Sequence, residues 1–271
     1  MQIGSKQFDI GSRTFIIGIL NLTPDSFSDG GSYNSVDQAV ARAKQMVAEG
    51  ADIIEIGGES SRPGHTQISA EEELERIMPV LLRLKDEIDV PISIDTYKGA
   101  TAEVALQNGA SMINDVWYFR ADPTLATVCA KYDAVCCVMH NRENDNRVYE
   151  NLLLDVIAEL QDSVDFLVQA GVDPSRIILD PGVGFAKTVA HNLEIMRHLS
   201  LFTALPYPIM LGTSRKSFMG RVGLAAGERM EATMATTVLG IQQSCDFIRV
   251  HDVLENKRAA LMTDEIVRFR H

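Results

Sequence analysis

The sequence predicts a single-domain α/β protein, a (β/α)₈ TIM barrel, and three observations predict it. Eight short runs rich in Ile and Val alternate with longer segments of helical period, the pattern of parallel strands joined by crossover helices. The helix-to-strand corners are short and glycine-capped, as in the repeated phrases Glu49-Gly50-Ala51 and Asn108-Gly109-Ala110. The strand-to-helix connections after strands 1, 2, 6 and 7 are long and polar, and in barrel enzymes that face carries the chemistry. No Gly-x-Gly-x-x-Gly follows the first strand, which disfavours an open doubly wound sheet.

Taken in order, strand 1 is Phe15–Asn21, loop 1 is Leu22–Ser35, with Asp25, Ser26, Ser28, Asp29, Gly30 and Gly31, and the first helix is Val36–Glu49. Strand 2, Asp52–Gly57, leads into loop 2, Gly58–Ala70, where Ser60-Ser61-Arg62-Pro63-Gly64 presents one arginine on a turn stiffened by Pro and Gly; helix Glu71–Ile88 follows. Strands 3 and 4, Ile92–Asp95 and Met112–Val116, precede helices Ala100–Asn108 and Pro123–Lys131. Strand 5, Ala134–His140, precedes helix Asn151–Ala170. Strand 6, Ile177–Asp180, opens loop 6, Pro181–His191, and helix Asn192–Ser200. Strand 7, Pro208–Gly212, opens loop 7, Thr213–Arg229, and helix Met230–Gln243; strand 8, Phe247–His251, precedes helix Leu254–Val267.

A chain of 271 residues is long enough for a complete barrel, and we assign residues 1–271 to one domain. With 46% apolar and 23% charged residues and no long apolar run, it has no membrane span. The first residues carry no apolar run behind Lys6, so no secretory signal is expected and the location is expected to be cytoplasmic. Cys129, Cys136, Cys137 and Cys245 have no zinc or redox spacing and read as reduced core thiols. A formal charge of −12 excludes a broad nucleic-acid surface while leaving room for a small anionic ligand held by a few local cations.

Side chains alternate across a strand, so a polar residue in step with apolar ones shares their face. Asn21 is in step with Ile17 and Ile19, Asn114 with Met112, Asp180 with Ile178, and His251 with Arg249 and Phe247; Asp95 closes its own strand. A lone strand-end Asp or Asn also serves as a helix cap. Five such positions at one end of the barrel favour a polar site. Glu55, in step with Ile53, reads as a member of a buried polar network. The cations gather on the last two loops, in Thr213-Ser214-Arg215-Lys216-Ser217 and Arg249-Val250-His251, where barrels often bind phosphate; the alternative is that Arg215 and Lys216 are solvated surface charges. Met139, ending strand 5 beside His140, reads as barrel packing before ligand contact.

The blocks running from Gly18-Ile19-Leu20-Asn21-Leu22-Thr23-Pro24-Asp25-Ser26-Phe27-Ser28-Asp29-Gly30-Gly31 through Glu55-Ile56-Gly57-Gly58-Glu59-Ser60-Ser61-Arg62-Pro63-Gly64, Ser93-Ile94-Asp95-Thr96-Tyr97-Lys98, Ile113-Asn114-Asp115-Val116, Asp180-Pro181-Gly182-Val183-Gly184-Phe185 and Gly212-Thr213-Ser214-Arg215-Lys216-Ser217 to Arg249-Val250-His251-Asp252 resemble the signatures of the dihydropteroate synthase family. The resemblance implies folate biosynthesis: condensation of 7,8-dihydropterin-6-ylmethyl diphosphate with 4-aminobenzoate by an SN1-like route, with Mg²⁺ bound. It implies catalytic roles for Asp95, Lys216, Asp25 and Arg62. The pterin would meet Asp95, Asn114, Met139, Asp180 and Lys216, and the diphosphate would meet Asn21, Arg62, Arg249 and His251, with Asn21 also on the metal. The 4-aminobenzoate would lie among Ser61, Arg62, Pro63, Phe185, Lys216 and Ser217.

The same resemblance implies a homodimer and a sulfonamide target. The sequence departs from the family at Ser61, where Thr is usual, and at Asn141-Arg142-Glu143, where the run after Met139-His140 is commonly Met-Gln-Gly. A non-catalytic pterin-binding paralogue and a folate-dependent methyltransferase barrel are the competing readings. The intact Asp25, Asp29, Arg62 and Lys216 speak against the first, and a diphosphate site against the second.

Overall fold

The computed structural model describes residues 1–23, 32–60, 66–143 and 146–268, with the backbone alone for residues 32–34 and 226. Eight parallel strands form the barrel wall: β3 (Phe15–Asn21), β4 (Ile53–Gly57), β5 (Ile92–Asp95), β6 (Met112–Asp115), β7 (Val135–Met139), β8 (Ile177–Asp180), β9 (Met210–Leu211) and β10 (Phe247–Val250). They are ordered β8-β7-β6-β5-β4-β3-β10-β9, and a parallel bridge between Leu179 and Ile209, with Leu179 N donating to Pro208 O at 3.0 Å, joins the two ends. The wall is therefore closed, as the absence of a dinucleotide-binding turn predicted.

The outer helices are α1 (Ser32–Ala48), α2 (Ala70–Glu87), α3 (Gly99–Gln107), α4 (Thr124–Lys131), α5 (Leu152–Gln169), α6 (Val189–Arg197), α7 (Leu199–Thr203), α8 (Met230–Gln242) and α9 (Val253–Val267). The predicted helix Asn192–Ser200 is two helices that break at His198. Its true start is set by Thr188, whose hydroxyl accepts from His191 N while the His191 ring accepts from Thr188 N. The corner glycines take the expected left-handed conformation, with φ of +104° at Gly50 and +110° at Gly109. The connection from β7 to α5 is also long, a fifth extended loop on the chemical face that composition alone did not flag.

Alternation along the strands divides the core in two. Ile16, Leu20, Ile54, Ile56, Ile94, Ile113 and Leu179 point outward into the layer between wall and helices. Phe15, Ile17, Ile53, Met112, Val135, Cys137, Ile178, Met210 and Phe247 fill the barrel interior at its N-terminal end. All four cysteines are free and buried within these layers. A two-stranded antiparallel hairpin, β1 (Gln2–Ile3) and β2 (Lys6–Gln7), was not predicted, because two-residue strands fall below any readable period. It delivers Ile3 and Phe8 to the interior cluster, where Phe8 meets Phe15 edge-on with centroids 4.8 Å apart and Phe15 lies 5.5 Å from Phe247. The barrel thus has an apolar floor, and its polar residues are confined to the opposite end.

Candidate active site

The strand register assembles the site. Asn21 on β3 is the partner of Gly57 on β4, Gly57 of Asp95 on β5, and Asp95 of Asn114 on β6, while Met139 on β7 is the partner of Asp180 on β8. Gly57 leaves open a place between Asn21 and Asp95 that a Cβ would fill, 3.6 Å from Asn21 Oδ1 and 3.7 Å from Asp95 Cβ. Gly212, past the end of β9, does the same beside Asp180 and Arg249. These absences of side chain keep the mouth of the barrel open above its filled floor.

Arg249, projecting inward from β10, organises the centre. Its Nη2 donates to Asp95 Oδ2 at 2.8 Å and its Nε to Glu55 Oε1. Glu55 is fully buried and also accepts from Ser93 Oγ at 3.3 Å and from Asn114 Nδ2 at 3.4 Å, so the network expected of it is present. Burial pushes the Asp95 carboxyl up, the Arg249 guanidinium pulls it down, and the Glu55 carboxylate pushes it up again. Burial likewise raises Asp180, against the opposing pull of Lys216 and of Gly182 N, which donates to Asp180 Oδ1 at 2.7 Å. Asn114 is buried, and its Oδ1 has no hydrogen-bond partner among the described residues. Its neighbour Asp115 points the other way and accepts from Trp117 N at 2.7 Å and Phe119 N at 2.6 Å, a purely local turn.

Arg215 and Lys216 part company. Arg215, at φ +57°, turns outward to Asp252, its Nε 3.0 Å from Oδ2, so the surface-charge alternative describes this residue. Lys216 turns inward. Its Nζ donates to Val183 O and sits 4.5 Å from the centroid of the Phe185 ring, and desolvation pulls its ammonium down to about 8. Ser217 is exposed at the start of a short 3₁₀ turn, Ser217–Val222. His251 lies just beyond β10, with Nδ1 2.8 Å from Ser214 Oγ and Nε2 3.5 Å from Asn21 Nδ2. Asn21, His251 and Ser214 therefore share one rim. Asp25, Ser61, Arg62 and Pro63 lie outside the described residues.

Among the described residues no three His, Cys, Asp or Glu side chains gather to hold a metal. The Asn21 amide oxygen is an oxygen donor at the rim, and a site with so few protein oxygens among the described residues suits a hard cation completing its shell with water and phosphate rather than an all-protein cage.

Two clusters near the mouth were not anticipated. Lys98 pairs with Glu59 and, at 3.2 Å, with buried Glu73, whose Oε2 also accepts from Thr96 at 2.9 Å and Thr101 at 2.8 Å. This network anchors the exit of β5 to α2 and α3. In the second, buried Lys187 donates to His140 Nδ1 at 2.8 Å, and His140 Nε2 lies 3.0 Å from Glu159. Burial pulls His140 down to about 4, so the ring is neutral, accepting at Nδ1 and donating from Nε2. Nothing local in the sequence marked Lys187 or Glu159.

Residues 17–251 match the family model described as pterin binding enzyme. The chain is 54% identical over 270 residues to the dihydropteroate synthase of Clostridium beijerinckii, covering 99% of this chain and 100% of that one. Among solved structures, it is similar to a dihydropteroate synthase from Clostridium difficile determined in the presence of pteroic acid, with a TM-score of 0.94, 50% identity and coverage of 97% and 100% of the two chains. It is also similar to the Yersinia pestis dihydropteroate synthase in a sulfonamide drug complex, with a TM-score of 0.93, 36% identity and coverage of 99% of each chain.

Proposed function

The chain belongs to the dihydropteroate synthase family of transferases in folate biosynthesis, and from that premise we propose that its barrel-end residues join a dihydropterin-methyl diphosphate to 4-aminobenzoate by dissociation first and arylamine attack second. The observation that carries the assignment of the pterin to the barrel centre is the buried acceptor Asn114 Oδ1, which has no partner among the described residues and stands at a mouth lined by the Asp95 and Asp180 carboxylates. A pterin edge is rich in amine and ring N–H donors, the complement of that set. Met139, buried at the end of β7, supplies an apolar wall.

In this reading the carbon–oxygen bond to the diphosphate breaks with its electron pair leaving on oxygen. Charge then develops with opposite signs at two places. The Asp95 carboxylate stabilises the pterin-methyl cation. Arg249, whose Nη1 makes no hydrogen bond among the described residues, and His251 lie toward the departing diphosphate. The 4-aminobenzoate nitrogen forms the new bond to the methylene carbon and gives up a proton to the departing pyrophosphate or to solvent. Asn21 Oδ1 would hold Mg²⁺ together with diphosphate oxygens, where the ion would neutralise leaving-group charge. Lys216 would serve both the pterin and the arylamine, a role supported by its inward turn to Val183 O and the Phe185 ring.

Asp25, Ser61, Arg62, Pro63 and Ser217 complete the proposed diphosphate and arylamine contacts, and residues 1–271 are proposed to act as one catalytic domain. A sulfonamide is expected to compete with 4-aminobenzoate. No helix among the described residues is long and apolar enough to cross a membrane, and the free thiols suit a reducing cytoplasm. Leu239 on α8 and Leu261, Met262 and Ile266 on α9 leave an exposed apolar face where these two helices pack, which supports a homodimer through that wall. The functional test is product formation by purified protein: dihydropteroate and pyrophosphate appear only with both substrates and Mg²⁺, and their absence under those conditions sinks the reading.

A further inference from the structure

The segment from Pro181 to Thr188 follows β8 and carries the two groups that touch Lys216, the Val183 carbonyl and the Phe185 ring. Its backbone turns through three left-handed residues, two of them glycines that take this conformation freely and one, Ala186, that does not. Gly182, Gly184 and Ala186 have φ of +69°, +93° and +45°, and Ala186 is not a glycine. Such a path persists only when its surroundings impose it.

Those surroundings form a closed ring of contacts behind the segment. Lys187 Nζ donates to Phe185 O at 3.1 Å and to His140 Nδ1 at 2.8 Å. His140 Nε2 donates to Glu159 at 3.0 Å, and Glu159 accepts from Arg142 Nε at 3.1 Å. The Arg142 guanidinium lies 3.9 Å over the Tyr149 ring, and Tyr149 Oη donates to Ala186 O at 2.9 Å, returning to the starting segment. Phe185 is thereby held by its carbonyl on the back and by its ring on the front.

Lys187 is 4% exposed, and among the described residues no carboxylate lies within ion-pair distance of its ammonium. Burial pulls the Lys187 ammonium down to about 7, so holding it charged here costs stability, and stability alone does not account for lysine at this position.

We propose that Lys187 is a positioning residue for the arylamine side of the site: with His140, Glu159, Arg142 and Tyr149 it braces the 181–188 segment so that Val183 and Phe185 hold Lys216 in place. This rests on the synthase reading above. Lys187 touches neither substrate; it acts through Phe185.

The test is steady-state dihydropteroate formation by the full chain with each substrate varied, together with thermal denaturation. Lys187→Met raises the KM for 4-aminobenzoate about tenfold, the scale of one lost hydrogen bond to a charged group. It raises the KM for the pterin diphosphate by a smaller factor, because the Phe185 ring bears on the arylamine alone while Lys216 serves both, and it leaves the Tm close to that of the parent, since removal of a buried amine offsets the donor lost to His140 Nδ1 and Phe185 O. His140→Asn, which keeps an acceptor toward Lys187, retains the parent KM, whereas His140→Leu reproduces the loss. Tyr149→Phe, which deletes only the hydroxyl at Ala186 O, gives a smaller rise in the same constant and tests the brace even if Lys187→Met does not fold. An unchanged KM for 4-aminobenzoate in both Lys187→Met and Tyr149→Phe overturns the inference, as does a uniform loss in both KM values and kcat accompanied by a lower Tm. An inactive parent chain removes the synthase reading and this inference with it; an active parent with unaffected variants removes this inference alone.

Discussion

Arg249 Nη2 and Asp95 Oδ2 are 2.8 Å apart across the barrel mouth, although β10 and β5 are not neighbours in the wall. The guanidinium spans the interior because Glu55 on the intervening β4 takes its Nε. A cation proposed for the leaving group and a carboxylate proposed for the carbocation thus hold each other in place before substrate arrives. Opposite charges are aligned for opposite charges to come.

Replacing Asp95 with Asn keeps its volume and removes that charge. Turnover falls by about 10²–10³, the usual effect of deleting one group that stabilises transition-state charge. The far-UV spectrum and the Tm stay close to those of the parent. Turnover within about threefold of the parent would dismiss Asp95 from the cation's stabilisation.

Glu55→Gln separates support from chemistry. Glu55 is fully buried against Ser93, Asn114 and Arg249, so the substitution leaves a buried guanidinium with one carboxylate fewer. The cost in stability is about 3 kcal/mol by chemical denaturation, larger than for Asp95→Asn. The opposite ranking of the two variants would mean that Asp95, not Glu55, anchors Arg249.

Lys216 gives a pH dependence of defined sign. Its ammonium is pulled down to about 8 by burial, so the charged form predominates below that pH and is lost above it. The kcat/KM for 4-aminobenzoate declines as pH rises through about 8, and Lys216→Arg moves that decline upward because guanidinium does not titrate in this range. A flat profile from pH 7 to pH 10 in the parent would contradict a charged Lys216 in the site.

Two glycines with positive φ are predicted to differ sharply on substitution. Gly11, at φ +83°, has nothing within 4 Å of an added Cβ, so Gly11→Ala costs about 1 kcal/mol of conformational strain. At Gly182, φ +69°, an added Cβ would stand 1.8 Å from His140 O, a backbone atom. Gly182→Ala therefore costs more than about 3 kcal/mol and lowers activity as the segment is displaced. Equal Tm changes for the two would show that the segment can yield.

Strand alternation is a property of the backbone, and it made the inward placement of Asn21, Asn114, Asp180 and Arg249 legible before any coordinates. Asp115, next to Asn114 in the same motif, points outward as that rule requires. Adjacent residues in a loop obey no such rule. Arg215 and Lys216 diverge because Arg215 adopts a left-handed φ, and nothing in their side-chain chemistry announces it. The link from Lys187 to His140 spans 47 positions and that from His140 to Glu159 a further 19, joining three elements that share no local pattern. The floor escaped for another reason: β1 and β2 have two residues each, too few for periodicity, and only the clustering of Phe8 with Phe15 and Phe247 gives them purpose.

The solitary Asn114 Oδ1 also sets a rule of admission. A buried acceptor that no described residue satisfies costs about 1–3 kcal/mol until a donor reaches it. A heterocycle that brings an N–H to that point relieves the debt, while an isostere presenting a lone pair there adds repulsion to it. Rejection of such look-alikes follows from an unmet need rather than from a close fit, and it grows stronger the drier the mouth becomes.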